Sequence, residues 1–240
     1  MKSTRRVWLT PAFVLHQYAY RDSSRIVEAF TREHGRLSLF ARGASGPKSA
    51  LRATLSPFQR LLVSWTGKSE DCQLVGAEID GGITRLPAQS LMSGFYLNEL
   101  VLKLTERCDP HPEIFDTYTE AVAALCAGER EEPSLRRFEK RLLDDLGYGL
   151  ELARTNEGRP VETGKFYRFK LESGPHPCVA EAPGAVYGQS LADLEAEEFG
   201  NERSLRDAKR VLRAAIDSCL DGRPLKSREV MVALRRRERV

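Results

Sequence analysis

Between His34 and Ser69 the chain has no Asp and no Glu, while Arg36, Arg42, Lys48, Arg52, Arg60 and Lys68 all fall inside that interval. A carboxylate beside a phosphate costs repulsion, and each Lys or Arg that neutralises a phosphate releases a counterion. An acid-free basic stretch therefore suits a polyanion, nucleic acid foremost. The plain alternative is a solvated sheet face that happens to lack acids. Long apolar runs are also missing: none reaches the roughly 20 residues of a membrane span, and no apolar core of signal-peptide length follows Met1-Lys-Ser-Thr-Arg-Arg6. These absences predict a cytoplasmic protein without a membrane role. Cysteine is sparse. The five, at 72, 108, 126, 178 and 219, are scattered and odd in number, which suits reduced thiols better than a disulfide framework.

Catalytic constellations are absent too. The four histidines lie far apart, and no Ser/His/Asp set or carboxylate pair stands out, so the expectation is a protein that is not an enzyme and needs no cofactor. Gly43-Ala-Ser-Gly-Pro-Lys48-Ser49 superficially suggests a phosphate-binding loop. Its spacing misses Gly-x-x-x-x-Gly-Lys-Ser, however, and Pro47 removes a backbone donor from the cradle. Cys108 with His111, and His176 with Cys178, are half-pairs only, whereas a closed zinc site wants four ligands.

What is present is segregated charge on a chain of 240 residues with a net charge of only +3. Up to Ser69, the six cations above and Lys2, Arg5, Arg6, Arg21, Arg25 and Arg32 face only Asp22, Glu28 and Glu33. A second basic cluster closes the chain from Arg223 to Arg239, and acids gather at Glu129, Glu131, Glu132, Glu195, Glu197 and Glu198. Such separation implies one or two electropositive surfaces on an ordinary globular protein.

Short apolar runs at Ala12 to Tyr20, Arg25 to Thr31, Arg36 to Arg42, Phe58 to Trp65 and Asp71 to Ile79 alternate with Gly/Ser/Pro turns. Five short strands predict a small barrel, of which the OB-fold is the type most used for nucleic acid. From Ser90 the period becomes helical. One helix carries Leu91, Phe95 and Leu102 inward; Pro112 opens another, with Phe115, Tyr118 and Val122 inward; a third begins at Pro133 and ends before Gly147; a fourth is capped by Ser204; and a last follows Ser227. The Gly- and Pro-rich stretch between, with possible strands at Phe166 to Leu171 and Ala185 to Tyr187, looks like an insertion. The fold class is thus α+β. Residues 1–82 are expected to form an OB-fold nucleic-acid-binding domain, 83–148 and 189–240 a helical domain, and 149–188 a β-rich insertion. Phe40 and Trp65 are candidates for stacking on bases, but alternation makes barrel core at least as good a reading.

Several motifs now match a known family. Phe13-Val-Leu-His16, Gly35-Arg-Leu-Ser-Leu-Phe-Ala-Arg-Gly-Ala44, Leu55-Ser-Pro-Phe58, Gly94-Phe-Tyr-Leu-Asn-Glu-Leu100, Leu135-Arg-Arg-Phe-Glu139, Leu146-Gly-Tyr-Gly149 and Pro224-Leu-Lys-Ser-Arg-Glu229 lie in its order and spacing, so the chain resembles the bacterial recombination-mediator family RecO from end to end. The resemblance implies an OB-fold, then a helical domain, with a small insertion that in some members is a four-cysteine zinc finger. Here the first cysteine pair reads Arg154-Thr-Asn-Glu-Gly158 and only Cys178 remains near the second, so the insertion is expected without metal.

It also implies binding of single- and double-stranded DNA, annealing of strands coated by single-strand-binding protein, and, with the partner RecR, loading of RecA in recombinational repair at the bacterial nucleoid. A general OB-fold RNA-binding factor and a protein adaptor are the alternatives. The expected phosphate contacts are Arg36, Arg42, Lys48, Arg52 and Arg60, with Arg21 and Arg25 as weaker candidates. For the acidic C-terminal tail of single-strand-binding protein, the resemblance directs attention to Arg136 and Arg137 at a helix start, where backbone donors favour an anion. Lys226 and Arg228 would either extend the DNA surface or fix the last helix.

Overall fold

Small and branched residues alternate with others along the N-terminal strands, which gives each strand one apolar side; closing the sheet turns those sides onto one another. The computed structural model describes residues 6–46, 49–67 and 72–237, with side chains to 234. Strands β1 (Arg6–Tyr20), β2 (Ser24–Thr31), β3 (Gly35–Ala41), β4 (Leu61–Thr66) and β5 (Cys72–Ile79) form a closed barrel in the order β1-β2-β3-β5-β4. Its core holds Val14, Val27, Ala29, Leu37, Leu39, Val63, Trp65 and Leu74. The expected barrel is therefore present. Its first strand starts at Arg6 rather than Ala12, because closure requires β1 to pair with β4 through Arg6 to Ala12 and with β2 through Ala12 to Tyr20. Helix α1 (Ala50–Thr54) lies in the β3–β4 connection; Leu51 packs against the core and Leu55, just after it, is buried in it. Lys48, one of the expected phosphate contacts, lies outside the described residues, as do Pro47 and Lys68.

By its contacts the chain falls into two compact units, Met1–Glu129 with Leu225–Val240, and Arg130–Pro224. The expected boundaries at 82, 148 and 188 followed element type, whereas this grouping leaves three helices with the barrel: α2 (Leu91–Leu104), α3 (Pro112–Cys126) and α7 (Lys226–Arg237). Phe115 and Tyr118 of α3 meet the outward rings of Phe13 and Phe30, with centroids from Phe13 to Tyr118 at 4.9 Å and from Phe30 to Phe115 at 5.4 Å. Asn98 of α2 donates to the Leu15 carbonyl and accepts from the Tyr118 hydroxyl, so a buried amide ties strand, α2 and α3 together. This polar requirement sets the rotation of α2. Leu97, Asn98 and Val101 are buried, while Leu91 and Phe95, expected inward, remain partly exposed.

The motifs at 94–100 and 224–229 meet in this unit. Glu99 accepts from the backbone N–H groups of Lys226 and Ser227 and from the Ser227 hydroxyl. Burial opposes its charge, but these donors hold the carboxyl below its ordinary value. Arg228 lies over the Tyr96 ring at 5.5 Å, which fixes the last helix on α2. Gly35, at φ +65°, closes the β2–β3 turn where an added Cβ would collide with the Asp109 carbonyl.

The second unit contains α4 (Glu131–Asp145), α5 (Gly188–Glu195) and α6 (Glu202–Cys219) with a three-stranded sheet in the order β7-β6-β8: β6 Phe166–Lys170, β7 Gly174–Cys178 and β8 Ala185–Tyr187. The sequence reading missed β7 because Gly174-Pro-His-Pro-Cys178 carries two prolines, which an edge strand tolerates. Asn201, not Ser204, caps α6, its side chain accepting from the Ser204 N–H at 2.8 Å. The turn at Arg154 to Gly158 is closed by hydrogen bonds, from Thr155 N–H to the Arg159 carbonyl at 2.7 Å and from Gly158 N–H to the Thr155 carbonyl at 2.8 Å. Among the described residues no cluster of three or more His, Cys, Asp or Glu side chains is arranged to hold a metal ion.

Candidate nucleic-acid interface

Strand pairing sorts the expected arginines onto two ends of the barrel. Arg25 pairs with Ala41 across β2 and β3, and the β1–β2 turn is stitched to the loop after β3 by Ser45 N–H to the Ser23 carbonyl at 2.9 Å. Arg21, Arg25 and Arg42 therefore share one end. At the same end, Leu55 accepts from the Gln17 amide, which brings up α1 with exposed Arg52. Arg25 is held by neutral groups, donating to Gln17 Oε1 at 2.6 Å and to Ser45 Oγ at 3.2 Å. None of these four guanidinium groups has a carboxylate within 4.0 Å among the described residues. Among the described residues, no carboxylate compensates their charge.

The other end is different. Thr31 pairs with both Ala12 and Gly35, and Ala12 pairs with Leu61, so Arg36 and Arg60 sit beside the β2–β3 turn. Arg36 reaches Glu28 at 3.3 Å and donates to the Thr105 carbonyl at 2.9 Å, with a side chain only 13 % exposed. Burial pulls its pKa below the ordinary value, against the attraction of Glu28. Glu28 also holds Arg107 at 2.6 Å. Arg60 pairs with Asp80 at 2.7 Å, and Arg32 makes a two-pronged contact with Asp116. Arg36, expected to meet phosphate, thus has two of its guanidinium nitrogens engaged inside the protein, and the third, Nε, is buried. Arg60 is half exposed but committed to Asp80.

The tail-binding pair is likewise divided. Helix α4 begins at Glu131, two residues before the expected Pro133, which moves Arg136 past the first turn and its free backbone donors. Arg136, expected to meet a carboxylate of the tail, is buried and paired with Glu139 at 2.6 Å, its Nε without a hydrogen-bond partner among the described residues. Arg137 is more open and shares Glu197 with Arg141; Arg141 is the nearer, at 2.9 Å against 3.4 Å.

Sequence reasoning named Phe40 but missed the tyrosines that make an aromatic surface with it. The outward side chains Tyr18, Ile26, Phe40 and Gln73 occupy paired positions on four neighbouring strands, β1, β2, β3 and β5, and make one row across the barrel wall. Tyr20 meets Phe40 edge-on at 5.6 Å, and the Arg21 guanidinium lies 5.2 Å from the Tyr20 ring centroid. Tyr18 and Tyr20 are 51 % and 38 % exposed. Trp65, the other stacking candidate, is buried in the barrel core. Exposed rings beside uncompensated cations form the usual pairing for single strands, because every base has a face to stack and every linkage a phosphate.

A family model described as Recombination protein O N terminal matches residues 3–77, and one described as Recombination protein O C terminal matches residues 85–229. The chain is similar to the DNA repair protein RecO of Azoarcus sp. (strain BH72), 43 % identical over 98 % of this chain and 99 % of that protein. It is 40 % identical to the protein of that name from Burkholderia pseudomallei (strain 1710b), over 95 % of this chain and 84 % of the relative. The corresponding protein of Aromatoleum aromaticum is 42 % identical, over 98 % and 99 %.

Proposed function

The chain belongs to the RecO family of DNA repair proteins, and from that premise we propose that it binds single- and double-stranded DNA through its barrel and anneals strands coated by single-strand-binding protein. With RecR it then promotes RecA loading in recombinational repair. It works by binding, not turnover, in the bacterial cytoplasm at the nucleoid.

The observation that supports this most is the barrel end where Arg21, Arg25, Arg42 and Arg52 have no carboxylate partner among the described residues. Annealing requires a positive surface that lowers repulsion between two polyanions without burying the edges that must pair. Arginines on turns and a short helix at a barrel end meet that need, since phosphate contacts carry no sequence preference. For the acidic tail of the single-strand-binding protein, Arg137 is the better anchor: Glu197 keeps Arg141 when Arg137 turns to a new carboxylate.

The test is annealing of complementary oligonucleotides coated with single-strand-binding protein, by the purified full chain without nucleotide. Faster pairing than in its absence is expected. No acceleration, with RNA bound in preference to DNA, would overturn the reading in favour of an RNA-binding factor.

A further inference from the structure

Beside the uncompensated barrel end lies a cleft of about 440 Å³ whose walls include Tyr20, Arg21, Ile26, Ser38, Phe40 and Gln73. We propose, resting on the DNA-binding reading above, that this cleft takes one unstacked nucleobase of a single strand, so that the site distinguishes single strands from duplex.

Three features carry the proposal. Tyr20 and Phe40 stand at 85° to each other, so the rings make an open corner, not a closed stack, and Ile26, paired with Phe40, supplies an apolar floor. Beside Phe40 on the same face, the Ser38 hydroxyl two residues before it and the Gln73 amide on the paired strand have no hydrogen-bond partner among the described residues. Between them they offer donors and acceptors suited to a base edge. Finally, Arg21 sits at φ +52°, a left-handed conformation uncommon for a side-chain-bearing residue, and is held over the Tyr20 ring, where it reaches the linkage of a base seated beside that ring. An apolar corner with two polar groups and an adjacent cation matches the chemistry of a base joined to its phosphate.

A duplex cannot use such a corner unless a base is flipped out of the stack, which costs pairing and stacking energy. A single strand enters without that cost. Stacking adds no counterion release, so the contact changes affinity and leaves the salt slope alone.

The experiment compares binding by the full chain to three fluorescein-labelled probes over a range of salt: an ordinary single strand, a strand of the same length that is abasic at every position, and the ordinary strand's duplex. The ordinary strand is expected to bind about tenfold more tightly than the abasic one, with the same salt slope. Phe40→Ala removes that preference while duplex binding stays within about twofold, and Phe40→Tyr, which keeps a ring, retains it. Equal affinity of the native protein for ordinary and abasic strands overturns the proposal and needs no variant. So does an equal loss of duplex and single-strand binding in Phe40→Ala. Failure of the DNA-binding reading itself looks different: no salt-dependent binding to any of the three probes.

Discussion

Arg36 lies on β3 and Arg42 just past its end, six residues and about 20 Å apart along the barrel wall, and a count of basic residues treats them alike. Their surroundings do not. Arg36 is held by Glu28 and the Thr105 carbonyl, whereas Arg42 is exposed and has no carboxylate within reach among the described residues. The absence of acids from His34 to Ser69 is a property of the chain and not of the space around it. Glu28 comes from the neighbouring strand, Asp80 from beyond β5 and Asp116 from α3, and all three neutralise cations at one end. Positive charge available to a ligand is what remains after folding has brought in the distant carboxylates.

The largest effect that tests this contrast is on stability. Arg36→Ala leaves Glu28 buried with Arg107 as its remaining ionic partner and removes the donor to Thr105, so it is expected to lower unfolding free energy by about 3 kcal/mol in urea titrations. The salt slope of DNA binding should not change. A loss of slope with little loss of stability would mean that Arg36 leaves Glu28 to meet phosphate, and the distinction between the two ends would be gone.

Arg42→Glu combined with Arg52→Glu reverses the pattern. Both residues are exposed, so the fold should keep its melting temperature within a few degrees while single-strand affinity falls by about 2 kcal/mol, roughly thirtyfold. The slope of log K against log salt should drop by about 1.4, two phosphate contacts at ~0.7 each. An unchanged slope would put the DNA path somewhere other than this end.

The barrel itself was legible because a closed sheet keeps its pattern: Leu37, Leu39 and Ala41 point inward, and the same alternation sends Arg36, Ser38 and Phe40 outward. The tyrosines were not legible, and the register explains why. Ala12 and Val14 are core residues, so strict alternation would carry Tyr18 and Tyr20 inward too. The pairing of β1 with β2 shifts between Val14 and His16, and this irregularity reverses the parity, placing Tyr18 opposite Ile26 on the outer wall. No local residue type announces that shift. The surroundings of Arg136 were hidden for a related reason. Its helix begins earlier than Pro133 suggests, and Glu139, one turn on, neutralises it inside the unit. Partners three residues apart can be read from sequence, but their burial cannot.

A smaller effect isolates which property matters, the pairing of a cation or its position. Asp80→Asn releases Arg60 at the committed end; the half-exposed pair is worth about 0.5 kcal/mol, so stability should hardly move. If position decides, DNA affinity stays within about twofold and the slope is constant. A slope higher by about 0.7 would mean that any freed arginine on this barrel finds phosphate, and that pairing alone silences the committed end.

The smallest expected effect is a pH dependence confined to that same end. The hydrogen bond from Arg32 holds the Asp116 carboxyl below its ordinary value, burial opposing it and the charge of Arg32 adding to it. A depressed carboxylate stabilises the fold above its unfolded value, near 3.9, and that contribution disappears as pH falls through the lower folded value. Native protein should therefore melt slightly higher than Asp116→Asn at neutral pH. The gap should narrow below about pH 4 and close once Asp116 is protonated in both states. The free end carries arginines, which stay charged across this range. Binding of a thymine-only single strand, whose bases take up no proton here, should accordingly keep the same salt slope from neutral pH down to about pH 3.5. A slope that shifts below about pH 4, in step with the melting difference, would tie the DNA surface to the Arg32–Asp116 end and reverse the assignment of the two ends.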